Sequence, residues 1–221
     1  MLDDIKNKRV IVTGSSKGIG LSVAKLFAKY GATVAVTSHN KPENIPALLA
    51  DITKDGGKAY YYQVDFTHEE ECKHFITIFV QEHGGIDILI NNVGGLVGRR
   101  QLDQMDQQFL HDVFNLNVAS AQYMTQHCLP YLLDSAKQDN WTASVITVGS
   151  FAAYMGGGPG ASLYAASKAW LHTVNKSWAS AYAKQGIRFN IVSPGTVDTA
   201  FHADKDATVR EAINKTIPLG R

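Results

Sequence analysis

The sequence is poor in cysteine, has no long apolar run and carries no excess of charge of either sign. Its two cysteines among 221 residues, Cys72 and Cys128, fall in unrelated helical patterns and provide no disulfide framework, so a reducing, cytoplasmic setting is expected. The apolar runs stop far short of the ~20 residues that span a bilayer. The first residues, Met1-Leu2-Asp3-Asp4-Ile5-Lys6, are charged, with only a short apolar run behind them, so neither a signal peptide nor a membrane anchor is expected. With 21 basic and 20 acidic side chains the formal net charge is +1, which gives no electrostatic case for nucleic acid or an anionic membrane as the main partner. A small-molecule substrate is the expectation that remains.

The hydrophobic fraction of 45% is enough for one sizeable core, and the chain reads as a single α/β domain over residues 1–221. Short apolar strands alternate with amphipathic stretches, with no linker or repeat between them. Strands are predicted near Arg9–Thr13, Thr33–Thr37, Ala59–Val64, Ile86–Ile90, Ala143–Val148 and Arg188–Val192, several of them nearly continuous in Val, Ile and Leu, as strands buried on both faces should be. Between the first two strands Val23, Leu26, Phe27 and Tyr30 recur at i, i+3, i+4 and i+7 and mark one helical face. Further helices are predicted over Ile45–Asp55, Glu69–Glu82, a long run from Asp106 to Ser135, and Leu163–Lys184. The alternation implies a Rossmann-like, doubly wound parallel sheet with helices on both faces.

In such a sheet ligands bind beyond the carboxyl ends of the strands, and the polar and glycine-rich stretches of this sequence fall there. Thr13-Gly14-Ser15-Ser16-Lys17-Gly18-Ile19-Gly20 follows the first strand, Asn91-Asn92-Val93-Gly94 the fourth, Gly149-Ser150 the fifth and Ser193-Pro194-Gly195 the sixth. Glycines between a strand and a helix let a pyrophosphate approach the helix N-terminus, although a glycine-rich turn without a ligand also fits. At the end of the second strand, Thr37-Ser38-His39-Asn40 lacks the acid that usually contacts an NAD ribose, and Lys17 lies in the glycine loop. NADP(H) is therefore favoured over NAD(H), with Ser38 and His39 as contacts to the 2′-phosphate or as plain loop residues.

Tyr164 and Lys168 are four apart in a helical stretch and so share a face. A nearby ammonium stabilises a phenolate, which suits acid/base chemistry at a carbonyl or alcohol oxygen. Ser150, fourteen positions before Tyr164, is placed to hydrogen-bond the same oxygen. Standing alone, a Tyr/Lys pair at this spacing is more often a packed tyrosine beside a solvated lysine.

Taken together, Thr13-Gly14-x-x-x-Gly18-Ile19-Gly20, Asn91-Asn92-Val93-Gly94, Ser150, Tyr164-x-x-x-Lys168 and Pro194-Gly195 resemble, in order and over essentially the whole chain, the short-chain dehydrogenase/reductase family. The resemblance implies hydride transfer between a nicotinamide and a carbonyl or secondary alcohol, with 3-oxoacyl thioesters on acyl carrier protein as the leading substrate. A sugar or polyol dehydrogenase and a non-catalytic NADP(H) sensor are the alternatives. It implies Tyr164 as acid/base, Lys168 on that tyrosine and on the nicotinamide ribose, Ser150 on the substrate oxygen, and Asn117 holding a water that links the lysine to solvent. The same resemblance assigns the cofactor to Gly14, Ser16, Lys17, Gly18, Ile19 and Gly20, to Ser38 and His39, to Asp65 and Phe66 near adenine, to Asn91 and Gly94, and to Pro194, Gly195, Val197 and Thr199. It further implies a homotetramer or homodimer, and another helix and strand beyond Arg221. Val93 replaces the family's usual alanine, and the interval from Ser150 to Tyr164, with Gly156-Gly157-Gly158-Pro159-Gly160, is about one residue longer than usual.

Other signals are weaker. His68, Cys72 and His74 begin a helix beside three glutamates and lack a second ligand group at zinc spacing, so no metal is expected. Arg99-Arg100 can meet a carboxylate or phosphate, or be a solvated loop. Trp170, Trp178 and Tyr182 mark a packing face, and Cys128 reads as a small buried hydrophobe among Met124, Leu129 and Leu132.

Overall fold

Alternation along the strands sorts their side chains into two cores, one on each face of a six-stranded parallel sheet. The computed structural model describes residues 3–197 and the single positions 211, 215, 217 and 219, so Thr199 lies outside the described residues. In β1 (Arg9–Val12), β2 (Thr33–Ser38) and β4 (Ile88–Asn91) the register lines Val10 up with Val34 and Ile88, and Val12 with Val36 and Ile90. These β-branched rows pack against Ala24 and Ala28 of α1 (Gly18–Lys29) and Ile52 of α2 (Ile45–Thr53). The intervening residues Ile11, Ala35 and Leu89, with Val145 of β5 (Ala143–Val148), belong to the opposite core. There they meet Phe75 and Phe79 of α3 (Glu69–His83), a helix that follows β3 (Lys58–Gln63).

The sheet order is β3-β2-β1-β4-β5-β6, with β6 spanning Ile187–Val192, and every pairing is parallel. Strand order reverses between β1 and β4, which marks the place where such sheets take ligands. The predicted strands and helices lie within about two residues of the observed ones, with one exception. The run from Asp106 to Ser135 is not a continuous α-helix. It divides into α4 (Gln107–Phe114), a π turn over Asn115–Ala119, and α5 (Ser120–Ser135), which supplies Met124, Cys128 and Leu132 to the core. The widened turn accommodates Asn117, whose amide donates to Val113 O at 2.9 Å and also reaches across to a neighbouring loop at Gly95. Single π turns inside helices recur at functional sites for this reason.

Past β5 come the short α6 (Ala152–Met155) and the long α7 (Ser162–Tyr182). The aromatic face expected on α7 is a packing face: Trp178 and Tyr182 each stand 5.9 Å from the ring of Phe189 on β6, and Trp170 stands 6.2 Å from Trp178.

At the amino edge of the sheet an ion pair between the partly exposed Arg9 and the buried Asp87 joins β1 to the residue that leads into β4. Arg9 donates to Asp87 through its backbone N–H at 2.8 Å, Nε at 2.8 Å and Nη2 at 2.7 Å, and Ser135 Oγ adds a fourth donor at 2.5 Å. Burial alone would raise the Asp87 pKa, but Arg9 and Ser135 outweigh it and hold the carboxyl below its ordinary range. Such a group adds stability above its unfolded pKa, and that stability is lost as pH falls through the lowered value. Asp87→Ala leaves the guanidinium without its partner and should cost about 3–5 kcal/mol in urea unfolding at pH 7. The cost should shrink as the pH is lowered below 4; a constant difference between pH 7 and pH 3 would show that the pair does not carry this stability.

Candidate active site

The glycine loop after β1 is held by two neighbouring strands. Thr13 Oγ1 accepts from the backbone N–H groups of Asn92 at 2.9 Å and Val93 at 3.0 Å, while Asn92 Nδ2 donates to Thr13 O at 2.9 Å and Gly14 O at 3.0 Å. From the other side, Gly14 N–H donates to Thr37 Oγ1 at 2.9 Å and Thr37 N–H to Ser15 Oγ at 2.9 Å. Helix α1 packs so closely on this loop that a Cβ at Gly20 would fall 2.5 Å from Gly14 O and 2.6 Å from Asn92 Nδ2. Gly18 opens α1, whose first turn carries no acid, and Lys17 stands exposed beside it. Unpaired helix N–H groups and the partial positive charge of the helix start suit an anionic group such as a pyrophosphate. Thr13 and Asn92 do the stapling, roles that their motifs contain but that the sequence reading did not assign.

At the end of β2 the side chains are placed differently from expectation. Ser38 is buried and its hydroxyl is already engaged, donating to Asn40 O at 2.7 Å and sharing a 3.0 Å hydrogen bond with Tyr61 OH. His39 is exposed, and its Nδ1 lies 3.3 Å from Asp65 Oδ2, the same distance as His68 Nδ1. The stretch Thr37–Asn40 has no acid of its own, yet folding brings one to it from the end of β3. Burial would raise the Asp65 pKa, but Thr67, then His39 and His68, outweigh it and keep the carboxyl below its ordinary range. Phe66 does not present its ring to this edge: it is buried in the core 6.2 Å from Phe75, edge to face, which leaves only its backbone for a ligand. Asn91 is likewise buried beneath the edge, its amide donating to Thr125 Oγ1 at 2.8 Å.

Lys168 sits on α7, one turn beyond the half-buried Tyr164, with its Nζ 5.9 Å from that ring's centre. Its side chain is buried, and Nζ donates to Val148 O at 3.0 Å at the end of β5. The same ammonium lies by Gly94, where a Cβ would come within 2.7 Å of Nζ and 2.8 Å of Asn117 Oδ1. A side chain there would displace the ammonium or the amide. Asn117 binds this loop through both ends of its amide: Oδ1 accepts from Gly95 N–H at 2.9 Å and Nδ2 donates to Gly95 O at 2.9 Å. It therefore fixes the loop that lies against Lys168. No acidic side chain pairs with Lys168 among the described residues, and burial pushes its pKa down to about 8. An ammonium with three donors and one protein acceptor fits a ligand that brings hydroxyl oxygens, as a ribose does.

Ser150 follows β5, its Oγ accepting from Ala152 N–H at 3.1 Å. The loop is tied to the one after β6, since Gly149 N–H donates to Val192 O at 2.8 Å and Phe151 N–H to Pro194 O at 2.9 Å. Gly195 and the partly exposed Val197 continue from that tie. Arg99 and Arg100 are less free than a solvated pair: Arg99 donates to Pro159 O at 2.7 Å, and Arg100 ion-pairs with Asp106 and lies 4.6 Å over the Phe109 ring. Arg99 by that hydrogen bond, and Arg100 by its backbone N–H on Gly160 O at 3.0 Å, close the loop after β4 onto the segment 156–160.

Comparison with known proteins agrees with this arrangement. Residues 8–210 match the family model described as short chain dehydrogenase. The chain is 34% identical over 217 residues to the 3-oxoacyl-[acyl-carrier-protein] reductase FabG of Thermotoga maritima, covering 98% of this chain and 85% of that protein. Among solved structures it resembles the NADH-dependent reductase A1-R′ responsible for alginate metabolism, at 43% identity and a TM-score of 0.92, over 99% of this chain and 85% of that one. It also resembles a short chain dehydrogenase from Burkholderia cenocepacia in complex with NADP, at 30% identity and a TM-score of 0.82, over 94% and 82% of the two chains. The chain belongs to the short-chain dehydrogenase family and is an oxidoreductase of that family, whose relatives bind nicotinamide cofactors.

The buried ammonium has a measurable cost in the cofactor-free protein. Between pH 8 and the ordinary 10.5 the unfolded chain holds more protons on this group than the folded one, so stability rises with pH there and the penalty is full below pH 8. Lys168→Met keeps the bulk and removes the charge. After the lost hydrogen bond to Val148 O is allowed for, we expect the cofactor-free variant to melt about 2–6 °C higher than the parent at pH 7 in a calorimetric scan, with the gap closing toward pH 10. A lower Tm at pH 7 would overturn the assignment of an uncompensated buried charge.

Proposed function

We propose that the protein is an NADP(H)-dependent carbonyl reductase whose catalytic residues are Ser150, Tyr164 and Lys168, with Asn117 as their positioning partner. The observation that carries this reading is the buried, acid-free Lys168 ammonium one turn from Tyr164, on the edge where the glycine loop ends. The bound nicotinamide supplies or accepts the hydride. Tyr164 gives its phenolic proton to the carbonyl oxygen as that oxygen gains charge, and takes it back in the oxidative direction. Lys168 stabilises the phenolate left behind and holds ribose hydroxyls. Ser150 hydrogen-bonds the same substrate oxygen and fixes its distance from the tyrosine. Gly14, Gly18 and Gly20 with Ser16 and Ile19 would hold the pyrophosphate, Asp65 would lie toward adenine, and Gly94, Pro194, Gly195 and Val197 would line the nicotinamide end; Thr199, outside the described residues, is assigned there by the resemblance alone. Tyr164→Phe should lower kcat by about 10²–10⁴-fold with the fold intact; retention of full turnover would remove Tyr164 from the acid/base role.

The preference for NADP(H) is supported by the exposed Lys17 and the absence of an acid within Thr37–Asn40. With the Ser38 hydroxyl engaged by Asn40 O and Tyr61 OH, and His39 beside Asp65, Lys17 is the group left for a 2′-phosphate. Lys17→Ala should then cut the ratio of NADPH to NADH kcat/KM by about tenfold or more, because a charge-assisted hydrogen bond is lost with one cofactor only. An unchanged ratio would count for NAD(H), the cofactor class named for the 43% identical alginate reductase.

For the substrate, 3-oxoacyl thioesters lead, supported by the FabG relatives of Thermotoga maritima and Chlamydia pneumoniae at 34% and 33% identity. The exposed Phe151, Tyr154 and Met155 beside Ser150 add an apolar mouth that suits an acyl chain. The identity to the alginate-metabolism reductase favours a carbohydrate-derived carbonyl as the second reading. Following NADPH absorbance against acetoacetyl thioesters, simple diketones and carbonyl products of alginate breakdown separates them; turnover of none would leave a nicotinamide-binding protein without catalysis.

A further inference from the structure

One turn beyond Lys168 on α7, His172 joins three elements at the reaction edge. Its Nε2 lies 2.9 Å from Ser193 Oγ, in the loop after β6, and its Nδ1 lies 3.2 Å from Tyr154 OH on α6. The Tyr154 ring stands edge-on to the imidazole at 5.0 Å between centres. Between these partners runs the backbone that leads into Ser150: a Cβ on Gly149 would meet His172 Nε2 at 3.0 Å and Ser193 Oγ at 3.0 Å. The imidazole and the serine hydroxyl are thus packed directly on the peptide that presents Ser150.

We propose that His172 is a positioning residue for the reaction, clamping α6 and the loop after β6 onto α7 so that Ser150 is held at a fixed distance from Tyr164. The proposal rests on the role given to Ser150 above. Neutral imidazole suits the clamp, since one ring nitrogen donates and the other accepts, and both partners are hydroxyls that can do either. The ring is kept neutral near pH 7: burial pushes its pKa down, and the charges of Lys176 and Lys168 push it the same way. Those two lysines lie on its own helix, Tyr154 is the titratable group facing it from α6, and the residue facing it from the loop after β6 is Ser193. The clamp also joins the substrate side of the cleft, through Tyr154, to the side that carries Pro194 and Gly195. A small change in its geometry is therefore felt at the reacting oxygen, where misplacement by about 1 Å can cost on the order of 10²-fold in rate.

The test compares His172→Leu, His172→Gln, His172→Asn, Tyr154→Phe and Ser150→Ala, assayed with NADPH and the ketone turned over fastest in the panel above. Leu removes both hydrogen bonds, Gln can restore the one to Ser193, and Asn the one to Tyr154. We expect His172→Leu to lower kcat by about 10–100-fold with the KM for NADPH unchanged, and the isotope effect from 4-deuterated NADPH to grow as the chemical step becomes limiting. Gln or Asn should recover part of the loss, and Tyr154→Phe, which alters an exposed hydroxyl without disturbing a core, should show a smaller loss of the same kind. A merely structural histidine would lower Tm and the active fraction while leaving the isotope effect as in the parent, and that result would overturn the proposal. Parental kcat in both His172→Leu and Tyr154→Phe would overturn it as well. If Ser150→Ala itself turns over normally, the role of Ser150 fails first; if only Ser150→Ala is impaired, the clamp alone fails.

Discussion

A parallel strand can be rejoined to its neighbour only by a crossover from the far end of the sheet, so every loop that follows a strand leaves by the same edge. The chemistry of this chain depends on that constraint. Residues as distant in sequence as Thr13, Asn92, Ser150 and Ser193 share one edge because each stands just after a strand of one register. The opposite edge is free of such demands and is where Arg9 and Asp87 join β1 to β4. The Thr13 and Asn92 staple closes the same pair of strands at the carboxyl end. Strand order reverses between these two paired strands, so the loops that leave them diverge and the crevice that suits a ligand lies beyond their carboxyl ends.

Holding an unpaired ammonium out of water is unfavourable, and the fold bears this through the helix that carries it. Trp178 and Tyr182 anchor the far half of α7 on Phe189, and Leu171, fully buried, anchors the near half. The backbone of Lys168 is thus fixed by a helix of 21 residues, and Asn117 and Gly94 lie beside its ammonium. The π turn that carries Asn117 belongs to the same arrangement: a regular helix would present a different residue to Gly95. Local irregularity and buried charge thus meet at one point, as expected where structure serves chemistry rather than stability.

Strands, helix faces and the order of the loops were legible because each is written in a periodicity or in a few glycines. Val10-Ile11-Val12 and Val34-Ala35-Val36, apolar at every position, announce strands buried on both faces, and Tyr164 with Lys168 announces a shared helical face. What could not be read depends on contacts between segments with no fixed spacing. Asp65 reaches His39 across 26 positions of chain, and Phe66 turns inward because it packs on Phe75 of the next helix. The interruption at Asn115–Ala119 has no signature in propensity, since its cause is a hydrogen bond from Asn117 to a loop outside the helix. His172 likewise looks like an ordinary residue of α7 until Tyr154 and Ser193 are brought to it.

The loop after β4 carries the sharpest local strain at the mouth. Gly98 N–H donates to Leu96 O at 2.7 Å, which closes a three-residue turn with Val97 at its centre at φ +61°. A β-branched residue in the left-handed region costs on the order of 1–3 kcal/mol and persists only where its surroundings over-determine it. Here the surroundings are specific: Asn117 holds Gly95 on one side, while Arg99 on Pro159 O and Arg100 N–H on Gly160 O hold the other. The strained turn is therefore clamped between the residues beside Lys168 and the glycine-rich segment that leads to Tyr164. The two loops thus form a single wall at this mouth, and residues that shape one of them also act on the other.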